Sequence, residues 1–256
     1  MIAVGLLLAL LVGMSLGLLG GGGSVLSVPI FVYILDIPPK SAIAMSLAVV
    51  AVTSLSGAVG HWRAGNVNVR MALAFAAFAM TSSLVGAAAS TLLSGDVQLL
   101  IFAIVMFTAA IFMYRGRNDL DPGQHHPTFM ASAVLIGLPA VGVGFLTGLI
   151  GVGGGFLIVP TLVLLGRLPM KQAIGSSLVV ISLTAATGFA GQLAHGVDLR
   201  WGFMAAFIAI AITGSFAGAL MVPHIHQKHL RKAFALFLAL MAVFILYEKS
   251  SVFLHR

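Results

Sequence analysis

Gly20-Gly21-Gly22-Gly23-Ser24 interrupts two wholly apolar runs near the start of the chain, and Val28-Pro29 follows it closely. The same arrangement returns 131 positions later as Gly151-Val152-Gly153-Gly154-Gly155, followed by Val159-Pro160. Each glycine inside a helix costs roughly 1 kcal/mol relative to alanine, so these runs predict two breaks in helical structure. In a membrane, broken backbone is tolerated only where it is buried in protein or lines a cavity.

The composition indicates a multi-pass membrane protein. Hydrophobic residues make up 60% of the 256 residues and charged residues only 7%, far below the roughly 25% of soluble domains. The net charge of +7 comes from 13 Lys and Arg in short loops, which favours contact with anionic lipid over nucleic-acid binding. The absence of cysteine excludes thiolate metal sites and thiol catalysis. The first apolar run has no positive residues before it, so we interpret it as a mature membrane segment rather than a signal peptide.

Ten hydrophobic segments predict an all-α fold with five segments in each half. They cover about 2–19, 25–35, 41–60, 70–93, 97–114, 129–150, 156–166, 172–193, 201–222 and 230–247. The second segment of each half is shorter than the roughly 20 residues that a spanning helix needs, which indicates either a half-helix or a re-entrant piece, broken by glycine near the membrane midplane. We divide the chain into a first transmembrane repeat (1–115), a polar connector (116–128) and a second repeat (129–256).

The two halves are an internal duplication. Between Gly17 and Gly65, 20 of 49 positions are identical to Gly148 through Gly196 without a gap. Shared apolar composition would not align proline, lysine, threonine and glycine together. Paired glycine-interrupted segments in two halves of a membrane protein are typical of a transporter's binding site.

The basic residues predict the orientation of the halves. If each half crosses the membrane an odd number of times, the second repeat is inverted, and nine basic residues face the cytoplasm against four outside. The nine are Arg63, Arg70, Arg115, Arg117, Arg167, Lys171, Lys228, Arg231 and Lys232; the four are Lys40, Arg200, Lys249 and Arg256. If each broken pair crosses only once, the division is seven against six. We therefore expect inverted-topology repeats with both termini outside.

The doubled motif resembles the TauE/SafE family of sulfite and organosulfonate exporters. The resemblance rests on G-L-L-G-G-G-G-S-V-L-S-V-P, its repeat G-L-I-G-V-G-G-G-F-L-I-V-P, and the pattern P-x-K-x-A-I-x-x-S-L after each of them. The first repeat departs mildly from the G-x-G-G-G form of the second, with Gly21 and Ser24 where the second has Val152 and Gly155. The resemblance implies a multi-pass carrier of small sulfur-containing anions in a bacterial inner membrane.

The glycine breaks are the candidate anion site. All six acidic residues fall in loops or at segment ends, which argues against a cation substrate. A helix N-terminus instead offers unpaired N–H groups and about half a positive charge to an anion. The candidate residues are Gly22, Gly23, Ser24, Gly153, Gly154 and Gly155. The alternative is that these glycines only permit close helix packing, the role that we assign to Gly144-x-x-x-Gly148 and Gly214-x-x-x-Gly218.

Repeated hydroxyls on the third segment of each half are further candidates for lining a pathway. Ser46 and Thr53 share one helix face, and Ser177 and Thr184 repeat that face. Hydrogen bonding between helices is the alternative for each of them.

His61 and Arg63 close the third segment, where they either hold an anion or relay a proton, or mark the headgroup boundary as Trp62 suggests. The sequence contains neither a nucleotide P-loop nor a nucleophile elbow, and we expect no enzyme activity, cofactor or metal site. The hypothesis is a carrier, most simply an exporter, of sulfite or an organosulfonate. Its rivals are a carrier or channel for another small anion such as a carboxylate, and a membrane sensor or scaffold that binds a ligand without moving it.

Overall fold

The computed structural model describes residues 2–90, 95–115, 129–150, 155–194 and 199–254. These residues form ten α-helices, with a π-helical extension of the second and a 3-10 turn before the tenth, and include no strand. The helices are α1 (Ile2–Leu19), α2 (Gly22–Pro29, extended by Ile30–Ile34), α3 (Pro39–Arg63), α4 (Val69–Ser90), α5 (Gly95–Arg115), α6 (Phe129–Ile150), α7 (Gly155–Leu164), α8 (Met170–Ala194), α9 (Trp201–Met221) and α10 (Gln227–Leu254).

Five of these helices are long and apolar enough to cross a bilayer. They are Ser41–Arg63, Val69–Gly86, Met170–Leu193, Trp201–His224 and Gln227–Tyr247. The all-α polytopic membrane fold predicted from the composition is therefore confirmed, and so is the short second helix of each half.

The first glycine break turns the chain back on itself. Gly20 has a φ of +77°, a left-handed conformation that ends α1 and that glycine adopts without steric cost. From there α2 runs antiparallel to α1: Gly23 packs against Val12 and Leu16, and Leu35 returns to Gly5. The α1–α2 pair is thus a helical hairpin, and its tip at Gly20–Ser24 is buried inside the protein.

The turn that follows each short helix is also repeated. Asp36 and Arg167, which are 131 positions apart, both have a φ of 51°. In both turns, the N–H groups on either side of this residue donate back to carbonyl groups in the last turn of the preceding helix. The duplication therefore extends from the glycine breaks to the backbone conformation of the turns that close the short helices.

Helices of one half pack against helices of the other. The first helix of each half contacts the fourth of the other, α1 on α9 and α6 on α4, while α3 lies on α8, α5 on α10 and α2 on α7. This reciprocal pattern is the one that a two-fold relation between like halves produces.

Contacts along the helices give their relative directions. The helices α3 and α8 are antiparallel, since Leu47 lies beside Gly188, the Ser182 hydroxyl donates to the Ala51 carbonyl at 2.9 Å, and Gly175 lies beside His61. The helices α1 and α9 are parallel: the carbonyl oxygens of Leu10 and Met14 face Gly214 and Gly218 in turn. Likewise α4 and α6 are parallel, with Ala79 beside Gly144 and Gly86 beside Leu149.

Glycine brings several of these helix pairs into backbone contact. A methyl group added at Gly144 would overlap the Ala79 carbonyl oxygen of α4, and one at Gly214 would overlap the Leu10 carbonyl oxygen of α1. One added at Gly218 would lie 2.6 Å from the Met14 carbonyl oxygen. The packing role predicted for these glycines is confirmed.

Candidate functional site

The first glycine break meets Gly155, the last residue of the second break, inside the protein. A methyl group added at Gly21 would overlap the carbonyl oxygen of Gly155 and lie 2.5 Å from the backbone nitrogen of Phe156. One added at Gly155 would lie 3.0 Å from the Ser24 hydroxyl oxygen. Ser24 and Gly155 are equivalent positions of the repeat, as are Ala51 and Ser182, which also contact each other. The N-termini of α2 and α7 therefore lie side by side on the pseudo-two-fold axis.

The start of α2 is buried and has no side-chain cap. Gly21 is its N-cap residue, and the next three residues, Gly22, Gly23 and Ser24, are buried as well. The Ser24 hydroxyl donates to the Gly21 carbonyl at 2.7 Å and does not cap the helix. The first-turn N–H groups of a helix have no partner inside the helix, and here no side chain among the described residues caps them. This buried terminus therefore offers N–H donors and the positive end of the helix dipole.

The second break is described only from Gly155 onward. Gly155 is the first residue of α7, which is buried along its first two turns from Gly155 to Pro160. Gly153 and Gly154 lie outside the described residues.

The glycines of the first break face different neighbours. The α-carbon of Gly23 faces α1, since an added methyl group would lie 2.6 Å from the Val12 carbonyl oxygen. Gly22 faces α10, since a methyl group added at Gly22 would lie 3.1 Å from the Phe237 ring. Gly21 faces the other break. Sequence reasoning included Gly22 and Gly23 but missed Gly21, because a run of glycines does not indicate which of its members faces which neighbour.

Ser177 of the second half lies at the break of the first half. Its hydroxyl oxygen is 2.7 Å from the position of a methyl group added at Gly20, and the side chain is fully buried. The Ser177 hydroxyl donates to the Ile174 carbonyl at 2.8 Å, which leaves its oxygen able to accept. Ser46, its counterpart in the first half, is 5% exposed.

The two halves differ at the repeated threonines. Thr53 is fully buried, and its hydroxyl oxygen has no hydrogen-bond partner among the described residues, which is also true of the Ser54 hydroxyl. The Thr184 hydroxyl, by contrast, donates to carbonyls of its own helix, Val180 at 3.0 Å and Ile181 at 3.1 Å. A buried hydroxyl without a partner costs roughly 1–3 kcal/mol, so Thr53 is the stronger candidate for binding a ligand or water. Sequence reasoning missed Ser54, whose counterpart in the second half is Ala185.

His61 and Arg63 lie in different environments although both close α3. His61 is fully buried, and its Nε2 is 2.9 Å from the carbonyl oxygen of Gly17, near the end of α1. Arg63 is exposed, and so is Trp62. The structure therefore brings His61, but not Arg63, to the first glycine break.

A serine–histidine hydrolase has no geometric support among the described residues. The Ser215 hydroxyl donates to the Thr53 carbonyl at 3.0 Å, and the His61 ring binds the Gly17 carbonyl. Serine and histidine thus each bind backbone instead of each other, and neither is arranged as a nucleophile with its base.

Buried broken helices on a polytopic α-helical scaffold define a membrane transporter as the class of protein. The chain belongs to the family described as "Sulfite exporter TauE/SafE", whose model matches residues 5–245. It is 32% identical to a probable membrane transporter protein of Xylella fastidiosa over 241 residues, which cover 93% of this chain and 92% of the relative.

Two further relatives carry the same description. The chain is 26% identical to the probable membrane transporter protein YdhB of Bacillus subtilis over 94% of its length and 99% of the relative. It is 29% identical to the probable membrane transporter protein MJ0441 of Methanocaldococcus jannaschii over 93% of its length and 94% of the relative. No solved structure matches the chain. The family confirms a multi-pass inner-membrane transporter.

Proposed function

We propose that this transporter carries a small sulfur-containing anion, sulfite or an organosulfonate, and holds it where the N-termini of α2 and α7 meet. The observation that carries the proposal is the contact between Gly21 and Gly155 at the buried, uncapped start of α2. Two helix N-termini at one place offer an anion several N–H donors and two positive dipole ends. The sulfur chemistry of the substrate and the outward direction are proposed because the family is one of sulfite exporters.

The chemistry around the breaks suits an anion rather than a cation. Ser177 adds a hydroxyl group at the first break, and the buried Thr53 hydroxyl has no hydrogen-bond partner among the described residues. Of the acidic residues that the structure describes, Asp36 lies in the turn after α2, Asp96 is the second residue of α5, and Glu248 follows the apolar span of α10 that ends at Tyr247. Cation carriers usually keep buried carboxylates. Because the breaks offer hydrogen-bond donors instead, we propose that the substrate is an anion.

Alternating access between two inverted repeats is the mechanism that we propose. The equivalent helices α3 and α8 pack antiparallel to each other. A two-fold axis that relates them must be perpendicular to the helices, as in inverted repeats, and this supports the proposed mechanism. Rocking of one set of helices against the other would open the shared site to either side in turn. In this arrangement the connector lies on the cytoplasmic side and both termini lie outside, as the distribution of basic residues predicts.

Flux measurements in proteoliposomes test the proposal. Purified protein is reconstituted with unlabelled anion inside, and counterflow of labelled sulfite, isethionate and acetate is measured. Counterflow of sulfite or isethionate, but not of acetate, supports a carrier of sulfur anions. Counterflow of acetate alone identifies a carboxylate carrier. Saturable binding of any of the three without counterflow would identify a sensor or scaffold instead.

A further inference from the structure

The buried imidazole of His61 is fixed in one tautomer. A carbonyl oxygen can only accept, so the ring nitrogen 2.9 Å from the Gly17 carbonyl, Nε2, must carry a hydrogen. A neutral imidazole has one N–H, which leaves Nδ1 with a free lone pair. This Nδ1 is buried and has no hydrogen-bond partner among the described residues. The ring therefore keeps one vacant proton-binding atom inside the protein.

His61 is also the one buried titratable side chain among the residues whose burial the structure describes. The elements packed against it carry little charge. The helices α1 and α9 contain no titratable residue, and neither does the 64–68 link. On α8 the one charged side chain is Lys171, whose ammonium donates to the Pro223 carbonyl at 2.7 Å near the surface. On its own helix, the neighbouring Arg63 is exposed.

The end of α1 offsets part of the cost of a positive charge on this buried ring. Gly17 lies in the last turn of α1, where the carbonyl groups form the negative end of the helix dipole. The half-helix C-termini of inverted-repeat carriers coordinate the coupling ion in the same way. In this chain the Nε2–H of His61 already binds the Gly17 carbonyl at the end of α1. The cation that can be added is therefore a proton on the other nitrogen of the same ring, Nδ1.

His61 shares two short segments with the proposed anion site. On α1, His61 binds Gly17 and the anion site begins at Gly20. On α8, the His61 side chain lies beside Gly175, and Ser177 reaches Gly20. The residues that contact the ring and those that contact the site are three positions apart at the end of α1 and two positions apart on α8.

From this juxtaposition we propose that Nδ1 of His61 binds the coupling proton of the transport cycle. The proposal rests on the proposed function. The neutral ring takes one proton to become imidazolium on one side of the membrane and returns it on the other. Because the imidazolium and the anion attract each other, the state that holds both is favoured, and the two cross together. One proton with one univalent anion makes the cycle electroneutral, so net export requires an outward anion gradient that exceeds the inward proton gradient.

The second half of the chain supplies the matched non-titrating residue. The counterpart of His61 in the repeat is Gln192. A glutamine amide can donate to the Gly17 carbonyl as Nε2–H does, but it binds no proton near neutral pH. The chain therefore has one proton site of this kind among its described residues, and His61→Gln removes the proton while keeping the hydrogen bond to α1.

Labelled sulfite and isethionate in proteoliposomes test the proposal. In the wild type, an inward proton gradient should drive net uptake, and a potassium diffusion potential should not drive isethionate uptake. His61→Gln should lose the stimulation by the proton gradient. Its counterflow, which moves no net proton, should persist but half-saturate at a higher anion concentration, because the attraction between the imidazolium and the anion is lost. His229→Gln, at an exposed histidine, is the control and should behave as wild type.

Proton binding by the wild type provides a second measurement that does not depend on the variant. Adding isethionate or sulfite to detergent-purified protein in weak buffer should take up about one proton per protein. Stimulation by the proton gradient that persists in His61→Gln would overturn the proposal, and so would anion binding by the wild type without proton uptake. Absence of counterflow in the wild type for both anions would instead overturn the proposed function.

Discussion

Gly21→Ala tests the contact between the two glycine breaks without straining the backbone. Gly21 has a φ of −80° and a ψ of −16°, which alanine adopts freely. The added methyl group would overlap the carbonyl oxygen of Gly155 and lie 2.5 Å from the nitrogen of Phe156. Both are backbone atoms and cannot rotate aside as a side chain could. The N-termini of α2 and α7 must therefore move apart.

The size of the effect follows from the hydrogen bonds that this separation breaks. An anion held between the two termini loses N–H donors from at least one of them. A hydrogen bond to a charged group contributes roughly 1.5–3 kcal/mol, so the Kd for the anion should rise about 10- to 150-fold for one lost donor. Alanine also lowers the conformational entropy of the unfolded chain, which raises the free energy of unfolding by only about 0.4–1 kcal/mol. This effect does not change the Kd.

Two other Gly→Ala variants are the controls, and anion affinity and thermal unfolding are measured for all three in detergent. Gly191→Ala on α8 meets open space, with no atom within 4 Å, so both affinity and stability should stay near wild type. Gly218→Ala presses on the Met14 carbonyl oxygen of α1 at 2.6 Å, and should lower the unfolding temperature while a folded fraction binds normally. A wild-type Kd in Gly21→Ala would refute the shared anion site and reduce the glycine breaks to packing elements.

Three further predictions concern the hydroxyl face, the topology and the repeated turns. Thr53→Val removes a buried hydroxyl without a partner, so it should raise the Kd for the anion and leave stability unchanged or higher. An unchanged Kd would assign Thr53 to packing. In this cysteine-free chain, an impermeant thiol reagent added outside should label Ser250→Cys but not Gln124→Cys, and the reverse result contradicts the proposed orientation. Arg167→Gly should stabilise the protein by about 1 kcal/mol in denaturant titrations, because its φ of 51° is costly for arginine. Asp36→Gly should gain less, since aspartate tolerates that conformation, and equal gains would contradict this explanation.

The helices could be predicted because their signals lie within each segment. Long apolar runs bounded by polar residues give α3 and α8, and the alignment of the halves extends to their ends at Pro39–Arg63 and Met170–Ala194, which are offset by 131 positions. The short second helix of each half follows from glycine on one side and a polar turn on the other. Each of these signals depends on local free energies: the cost of glycine in a helix and the length of apolar chain that a bilayer requires.

The partners of each glycine could not be predicted because they depend on contacts between distant segments. Gly21 and Gly23 are identical in type and two positions apart, yet one faces α7 and the other faces α1. The same limit applies to Ser177, which lies at the break of the opposite half. Such pairings arise from the packing of one half against the other. They cannot be predicted from the pattern of residues within one segment.

Gly155 and His61 differ in whether the other half of the chain carries an equivalent residue with the same role. Atoms on the pseudo-two-fold axis, such as those of Ser24 and Gly155, meet their own counterparts, so an anion there has similar surroundings from either half. His61 lies off that axis, and its counterpart is Gln192, which cannot hold a proton near neutral pH. In a two-fold carrier the states open to the two sides would otherwise be nearly equivalent. Among the described residues, His61 is the buried titratable side chain, and it lies beside the first break. A proton on its ring would make the free energies of the two states depend on pH, and in our proposal this asymmetry couples the anion to the proton.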